Sequence, residues 1–121
     1  MATEDEVERF IGEFRVKSRV FGMVFRDDRN KNLETMAELG ISRVEREKIV
    51  RAVEVEDYSE GPTEDLLNRI SALWVFGKFV RNRELYIKIS MGYPGCSTIC
   101  VSFHFAEHPM KYPFKRKEGS L

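Results

Sequence analysis

A chain of 121 residues is long enough for one domain that buries roughly two-thirds of its extended surface. With 42% hydrophobic and 33% charged residues it reads as a soluble folded protein rather than a disordered tail, and no apolar run approaches the roughly 20 residues of a membrane span. Net charge is zero but polarised: residues 1–70 carry 12 Lys/Arg against 17 Asp/Glu, and residues 71–121 carry 8 against 3. Such a chain either offers a basic surface to a phosphate backbone or uses the polarity to draw its two halves together.

The acidic start, Met1-Ala2-Thr3-Glu4-Asp5-Glu6, lacks the apolar core of a secretory signal, so a cytoplasmic location is expected. Residues 3–15 read as a helix. Thr3 and Glu6 have capping-box spacing, and Val7, Phe10, Ile11 and Phe14 form its inward stripe. Residues 19–25 read as a short strand or extended connection into the polar turn 26–32. There Arg26, Arg29 and Lys31 are candidate phosphate contacts, while Asp27 and Asp28 suit a turn or cap better than a metal site. A second helix is expected from Leu33 to Leu39, ending at Gly40. A third is capped by Ser42 with Glu45, and Val44, Ile49, Val50 and Val53 form its buried side. Glu45 and Glu47 near its start argue against a DNA-reading helix. Residues 54–62 read as an acidic loop, and Thr63 as the cap of a short fourth helix through about Arg69.

Residues 73–105 carry the clearest pattern, a meander of three antiparallel strands at 73–80, 84–91 and 97–105. Side chains two apart on a strand share a face. Leu85, Ile87 and Ile89 therefore oppose Glu84, Tyr86, Lys88 and Ser90. On the last strand, Ile99, Val101, Phe103 and Phe105 oppose Thr98, Cys100, Ser102 and His104. The expected fold is α+β, one domain over residues 1–121, with N-terminal helices on one face of a small antiparallel sheet. Residues 106–121 read as an irregular basic tail whose prolines discourage pairing. Cys96 and Cys100 read as small packing residues, too far apart to bridge easily. With two histidines and no CxxC pair, no metal or cofactor is expected.

A phenol, an ammonium and an imidazole thus project from one polar face. Together they suit cleavage of single-stranded RNA without a metal. The ribose 2′-hydroxyl must lose a proton, the phosphorane needs charge stabilisation, and the leaving 5′-oxygen needs a proton. His104 suits either proton transfer, because an unperturbed imidazole titrates near neutrality. Tyr86 suits a hydrogen bond to phosphate, and Lys88 supplies positive charge. Lys78, Arg81 and Arg83, with Arg26 and Arg29, are the candidate contacts to flanking phosphates. A structural histidine, a packing tyrosine and a solvated lysine explain the same three residues without catalysis.

The ordered segments Trp74-Val75-Phe76-Gly77-Lys78, Tyr86-Ile87-Lys88-Ile89 and Ile99-Cys100-Val101-Ser102-Phe103-His104 resemble the MqsR-type toxins of bacterial toxin–antitoxin pairs, within the RelE-like ribonuclease superfamily. The resemblance covers about residues 30–105, and His108-Pro109 and Tyr112-Pro113-Phe114 resemble the tail of one branch. It implies a RelE-like fold and a small cytoplasmic endoribonuclease, an mRNA interferase that arrests growth. It also implies a cognate antitoxin with a zinc-binding domain and a helix-turn-helix, and mRNA as substrate, free or on the ribosome. Tyr86 matches the family's active-site tyrosine. His104 stands where the best-known members have lysine, Val75 where they have glutamine, and Ser59 where an upstream lysine is found. The resemblance therefore allows a histidine-based ribonuclease, or a non-catalytic RNA- or protein-binding module that keeps the toxin fold.

Overall fold

The computed structural model describes residues 1–28, 30–66 and 71–116. Its order is α1 (Glu4–Phe21), β1 (Met23–Phe25), α2 (Asn30–Leu39), α3 (Arg43–Arg51), a 3-10 turn (Val55–Asp57), β2 (Tyr58–Thr63), β3 (Leu73–Val80), β4 (Arg83–Ser90) and β5 (Thr98–Phe105). The strands form one sheet in the order β1-β5-β4-β3-β2. This is an α+β fold with its helices N-terminal to the main sheet. The sheet is mixed rather than wholly antiparallel, because β1 runs parallel to β5. Among the described residues no helix is long and apolar enough to cross a membrane.

The helix starts follow local chemistry. Thr3 Oγ1 accepts the Glu6 N–H at 3.2 Å while Glu6 Oε1 accepts the Thr3 N–H at 2.9 Å, and Ser42 and Glu45 repeat the exchange on α3. Val7, Phe10, Ile11 and Phe14 are buried as their spacing requires. The α1 helix continues to Phe21, six residues past its expected end, because Ser18 extends the buried stripe and pairs with Thr98 Oγ1 at 2.7 Å. Gly22, at φ 82°, ends it, leaving only Met23–Phe25 as strand. The α2 helix begins at Asn30, three residues earlier than expected.

On α3 the expected inward residue Val44 is 62% exposed, and Arg46 is buried instead. Its guanidinium forks onto Asp27 at 2.7 and 2.9 Å and lies 3.8 Å from the centre of the Phe25 ring. Removing one member of such a buried pair typically costs about 3 kcal/mol. The acidic loop expected at 54–62 is the 3-10 turn followed by edge strand β2, and Thr63 closes that strand rather than capping a helix. Glu64–Leu66 is not helical, and the rest of the expected fourth helix, 67–69, lies outside the described residues.

The core forms between the helices and one face of the sheet. Phe10 stacks on Trp74 with ring centres 4.3 Å apart, over Phe76, Leu85, Ile87, Ile89 and Phe103. Each large apolar side chain fully buried there contributes about 1.5–3 kcal/mol.

One irregularity decides what lies on the other face. Lys88 pairs with Ser102, but Ile89 pairs with Cys100, so Val101 is an extra residue in β5. This bulge reverses parity below it. Ser102 and His104 face away from the core as alternation predicts. Thr98 and Cys100, expected beside them, are fully buried and turn to the helices. Above the end of β1, among the described residues, no strand pairs with the outer edge of β5. There Asn32 Nδ2 donates to Val101 O at 3.3 Å and to Arg26 O at 3.0 Å, while Asn32 Oδ1 accepts the Phe103 N–H at 3.0 Å.

Asn32→Ala should therefore leave the Val101 carbonyl and Phe103 N–H unsatisfied, and cost about 2 kcal/mol in urea unfolding at unchanged m-value. A loss within error of zero would mean water or a neighbour replaces the amide. The parity of β5 has its own check. Burial pushes the Cys100 thiol up to about 12, whereas Cys96 is exposed. One thiol per native chain should react with a small disulfide reagent, and both after unfolding; rapid native reaction of both would place Cys100 on the open face.

Candidate functional site

The central strand β4 alternates between two tasks. Leu85, Ile87 and Ile89 are fully buried in the core, and Glu84, Tyr86 and Lys88 project to the opposite side. Cross-strand register arranges that side in rows. One row reads Gly77–Tyr86–His104, and the next Val75–Lys88–Ser102. Tyr86 and His104 stack with centres 5.1 Å apart and planes 10° from parallel. Lys88 Nζ lies 5.6 Å from the centre of the Tyr86 ring.

These residues form the floor of an open cavity of about 800 Å³. The first turn of α2 supplies one wall through Asn30, Lys31 and Asn32. Ser59 and Glu60 come from β2, and Glu107–Lys111 come from the segment after β5. Lys31, Lys88 and Lys111 bring positive charge, with His104 and His108; Glu60 and Glu107 bring negative charge. Lys31 Nζ reaches Glu107 Oε1 at 3.2 Å, and this bond holds the Glu107 carboxyl below the usual carboxylate range. His104 Nδ1 lies 3.0 Å from its neighbour's carbonyl, Phe105 O. A carbonyl only accepts, so that bond places the proton of the neutral ring on Nδ1 and leaves the lone pair on Nε2.

Of the basic residues expected at phosphates, Lys31 lines the cavity, whereas Lys78, Arg81, Arg83 and Arg26 go elsewhere. Lys78 shares the helix-covered side of β3 with Trp74 and Phe76, and pairs with Asp57 at 3.2 Å. Arg83 shares the parity of Leu85, pairs with Glu38 at 2.6 Å and lies over the Phe105 ring. Arg81 donates to the Leu39 carbonyl, where it closes the C-terminal end of α2. Arg26 Nε sits 4.0 Å from Asp28 and is not on the cavity wall. Arg29 lies outside the described residues. Lys78 and Arg83 thus join the basic half of the chain to acids of the other half, the second of the two roles the polarised charge allowed.

The tail is irregular as expected over 106–116, but the sequence did not disclose that it docks on the sheet. After β5 the Ala106 N–H donates to Glu84 O at 2.9 Å, and the Glu84 carboxylate accepts the Met110 N–H at 3.2 Å and the Tyr112 hydroxyl at 2.6 Å. Tyr112 lies over Gly77, where a Cβ would stand 2.8 Å from its ring carbons Cε1 and Cζ. Burial, then the Glu84 carboxylate, raises the Tyr112 phenol pKa. Phe114 stacks on Tyr58 at 5.4 Å. The tail has no regular secondary structure but is strapped across the sheet from β5 to β2. A glycine inside a strong strand pattern was the available signal, since it marks close approach of another segment.

Among the described residues, no three His, Cys, Asp or Glu side chains converge as metal ligands would. No protein-family model, curated protein or solved structure matches this chain.

Proposed function

We propose that this protein is an endoribonuclease that cuts single-stranded RNA in the cavity over β4 and β5, and acts as the toxin of a toxin–antitoxin pair. The observation that carries the reading is the paired placement of Tyr86 and His104. They occupy opposed register positions with stacked rings, Lys88 stands one row away, and all three line one open cavity. Its volume falls within the roughly 300–1,000 Å³ of ligand sites.

The chemistry follows from these groups. His104 Nε2 takes the proton of a ribose 2′-hydroxyl, and that oxygen attacks the adjacent phosphorus. Lys88 and the Tyr86 hydroxyl stabilise the charge that collects on the phosphorane oxygens. The P–O5′ bond then breaks, and the proton held on His104 passes to the leaving oxygen. The products are a 2′,3′-cyclic phosphate and a free 5′-hydroxyl, and the imidazole returns to its starting state. Ser59, which stands where the MqsR-type toxins have a lysine, lines this cavity, and Val75 faces the same side beside Lys88. Histidine replaces the family's usual cation after Ser-Phe, so proton transfer rests on His104. A cytoplasmic setting, mRNA as the target and a zinc-binding, helix-turn-helix antitoxin as partner belong to the same proposal.

Purified protein should cleave single-stranded RNA, alone or with ribosomes, and expression should arrest growth. His104→Ala should slow cleavage by about 100-fold or more, and Lys88→Ala by a similar factor. A 2′-deoxy substitution at the cut site should abolish the reaction. Intact RNA under both conditions, with binding retained, would replace the enzyme by a non-catalytic RNA-binding module. An adjacent short gene encoding paired CxxC motifs and a helix-turn-helix would identify the antitoxin.

A further inference from the structure

The geometry points to a second set of RNA contacts on the tail: we infer that Lys111 and His108 form the far wall of the cleft and bind the backbone of a single strand lying on the Tyr86–His104 floor. This rests on the ribonuclease reading and extends it to residues outside the sheet.

Three observations carry the inference. Lys111 and His108 are exposed, form no salt bridge among the described residues, and line the same cavity as Lys88 and His104. The segment holding them is tied down on both sides. Ala106, Met110 and Tyr112 all bond to Glu84, and Phe114 stacks on Tyr58 beyond it. The docking also depends on a missing side chain. Gly77 stands in the Tyr86–His104 row, and the Tyr112 ring fills the space above it. A polar segment crossing a sheet would not need this room unless its position mattered. Tyr112 and Glu84 are therefore positioning residues, and Lys111 and His108 are the groups they position. The expected cations Lys78, Arg81 and Arg83 are engaged elsewhere, so positive charge across from Lys88 comes from the tail and from Lys31, which Glu107 partly neutralises.

The test uses the full chain and a single-stranded RNA oligonucleotide with 2′-O-methyl riboses, which binds but is not cut. Affinity is measured by fluorescence anisotropy over a range of salt. Each lost phosphate contact lowers the slope of log K against log salt by about 0.7 for a single strand. Lys111→Ala should lower the slope by that amount, as Lys88→Ala does on the floor, and Lys111→Arg should keep it. His108→Ala should also weaken binding of the oligonucleotide. Gly77→Ala should displace the strap and reproduce the Lys111→Ala slope, with no further loss in the double variant; thermal melting confirms that each variant folds. If Lys88→Ala lowers the slope while both tail variants bind like the parent, the tail inference falls and the ribonuclease reading stands. If the parent protein does not bind the oligonucleotide at all, both fall together.

Discussion

The side-chain amide of Asn32 holds the outer edge of β5 at a level where, among the described residues, no strand reaches that edge. β1 is only three residues long and pairs with Thr98–Cys100. Beyond it a carbonyl and an N–H on the outer edge of β5 would face the underside of α2 unpaired. Asn32 is 1% exposed and answers both, as the backbone of a further strand would. The same contact spans the bulge at Val101. It thereby stabilises the one irregularity that keeps Ser102 and His104 on the open face while Cys100 and Thr98 turn inward. Because the residue belongs to the first turn of α2, the bond also fixes Asn30 and Lys31 at the rim of the cavity. Position of the imidazole, parity of the strand and one wall of the site depend on that amide.

Much of the architecture could be read where local chemistry and tertiary packing agree. Both capping boxes, the apolar stripe of α1, Gly40 at the end of α2 and the three strands of the meander fall in this class. Failures came where only long-range contact decides. The short strand expected within 19–25 is confined to Met23–Phe25, and its unforeseen parallel pairing is decided by the partner that β5 offers. Ser59-Glu60-Gly61-Pro62, poor in strand formers, is recruited by the edge of β3 despite its propensity. The bulge is invisible to a rule of strict alternation, so Cys100 was placed on the wrong face while Ser102 and His104, past the extra residue, were placed correctly. Two misplacements had a local signal. Lys78 lies two residues from Phe76, and Arg83 two from Leu85, so the parity that placed Tyr86 and Lys88 outward also directs these cations to the helix side. Lys31, expected with Arg26 and Arg29 as a phosphate contact, does line the cavity; Lys111 was harder, because nothing near it in sequence announces that cavity.

The charge pattern illustrates why total or regional charge is a poor guide to a binding face. The basic C-terminal half commits Lys78 and Arg83 to acids of the other half, at Asp57 and Glu38, in partly exposed pairs worth about 0–1 kcal/mol each. Their use is orientational: they fasten the β3–β4 hairpin to the 3-10 turn and to α2. What remains over the cavity is a mixed field of lysines and histidines with two glutamates. A polyanion entering it competes with Glu107 for Lys31, so a strand that wins the lysine also loosens a contact between α2 and the tail.

The pleat of β4 separates folding from chemistry more cleanly than a loop-built site would. Ile87, fully buried, sits between Tyr86 and Lys88, and its packing against Phe76 and Phe103 sets the height and direction of both neighbours. Tyr86 and Lys88 take no part in that packing, so replacing them tests the proposed chemistry without opening a void in the core. The tail lacks this protection. Among the described residues it is held by the Ala106 N–H on the Glu84 carbonyl, by the Glu84 carboxylate on Met110 and Tyr112, by the Lys31–Glu107 pair and by the Phe114–Tyr58 stack rather than by a hydrogen-bond ladder. Unlike the floor, it is held by side-chain contacts and a single backbone bond rather than by strand pairing, so under the proposed function an RNA too long for the cavity would enter by displacing the tail rather than the floor.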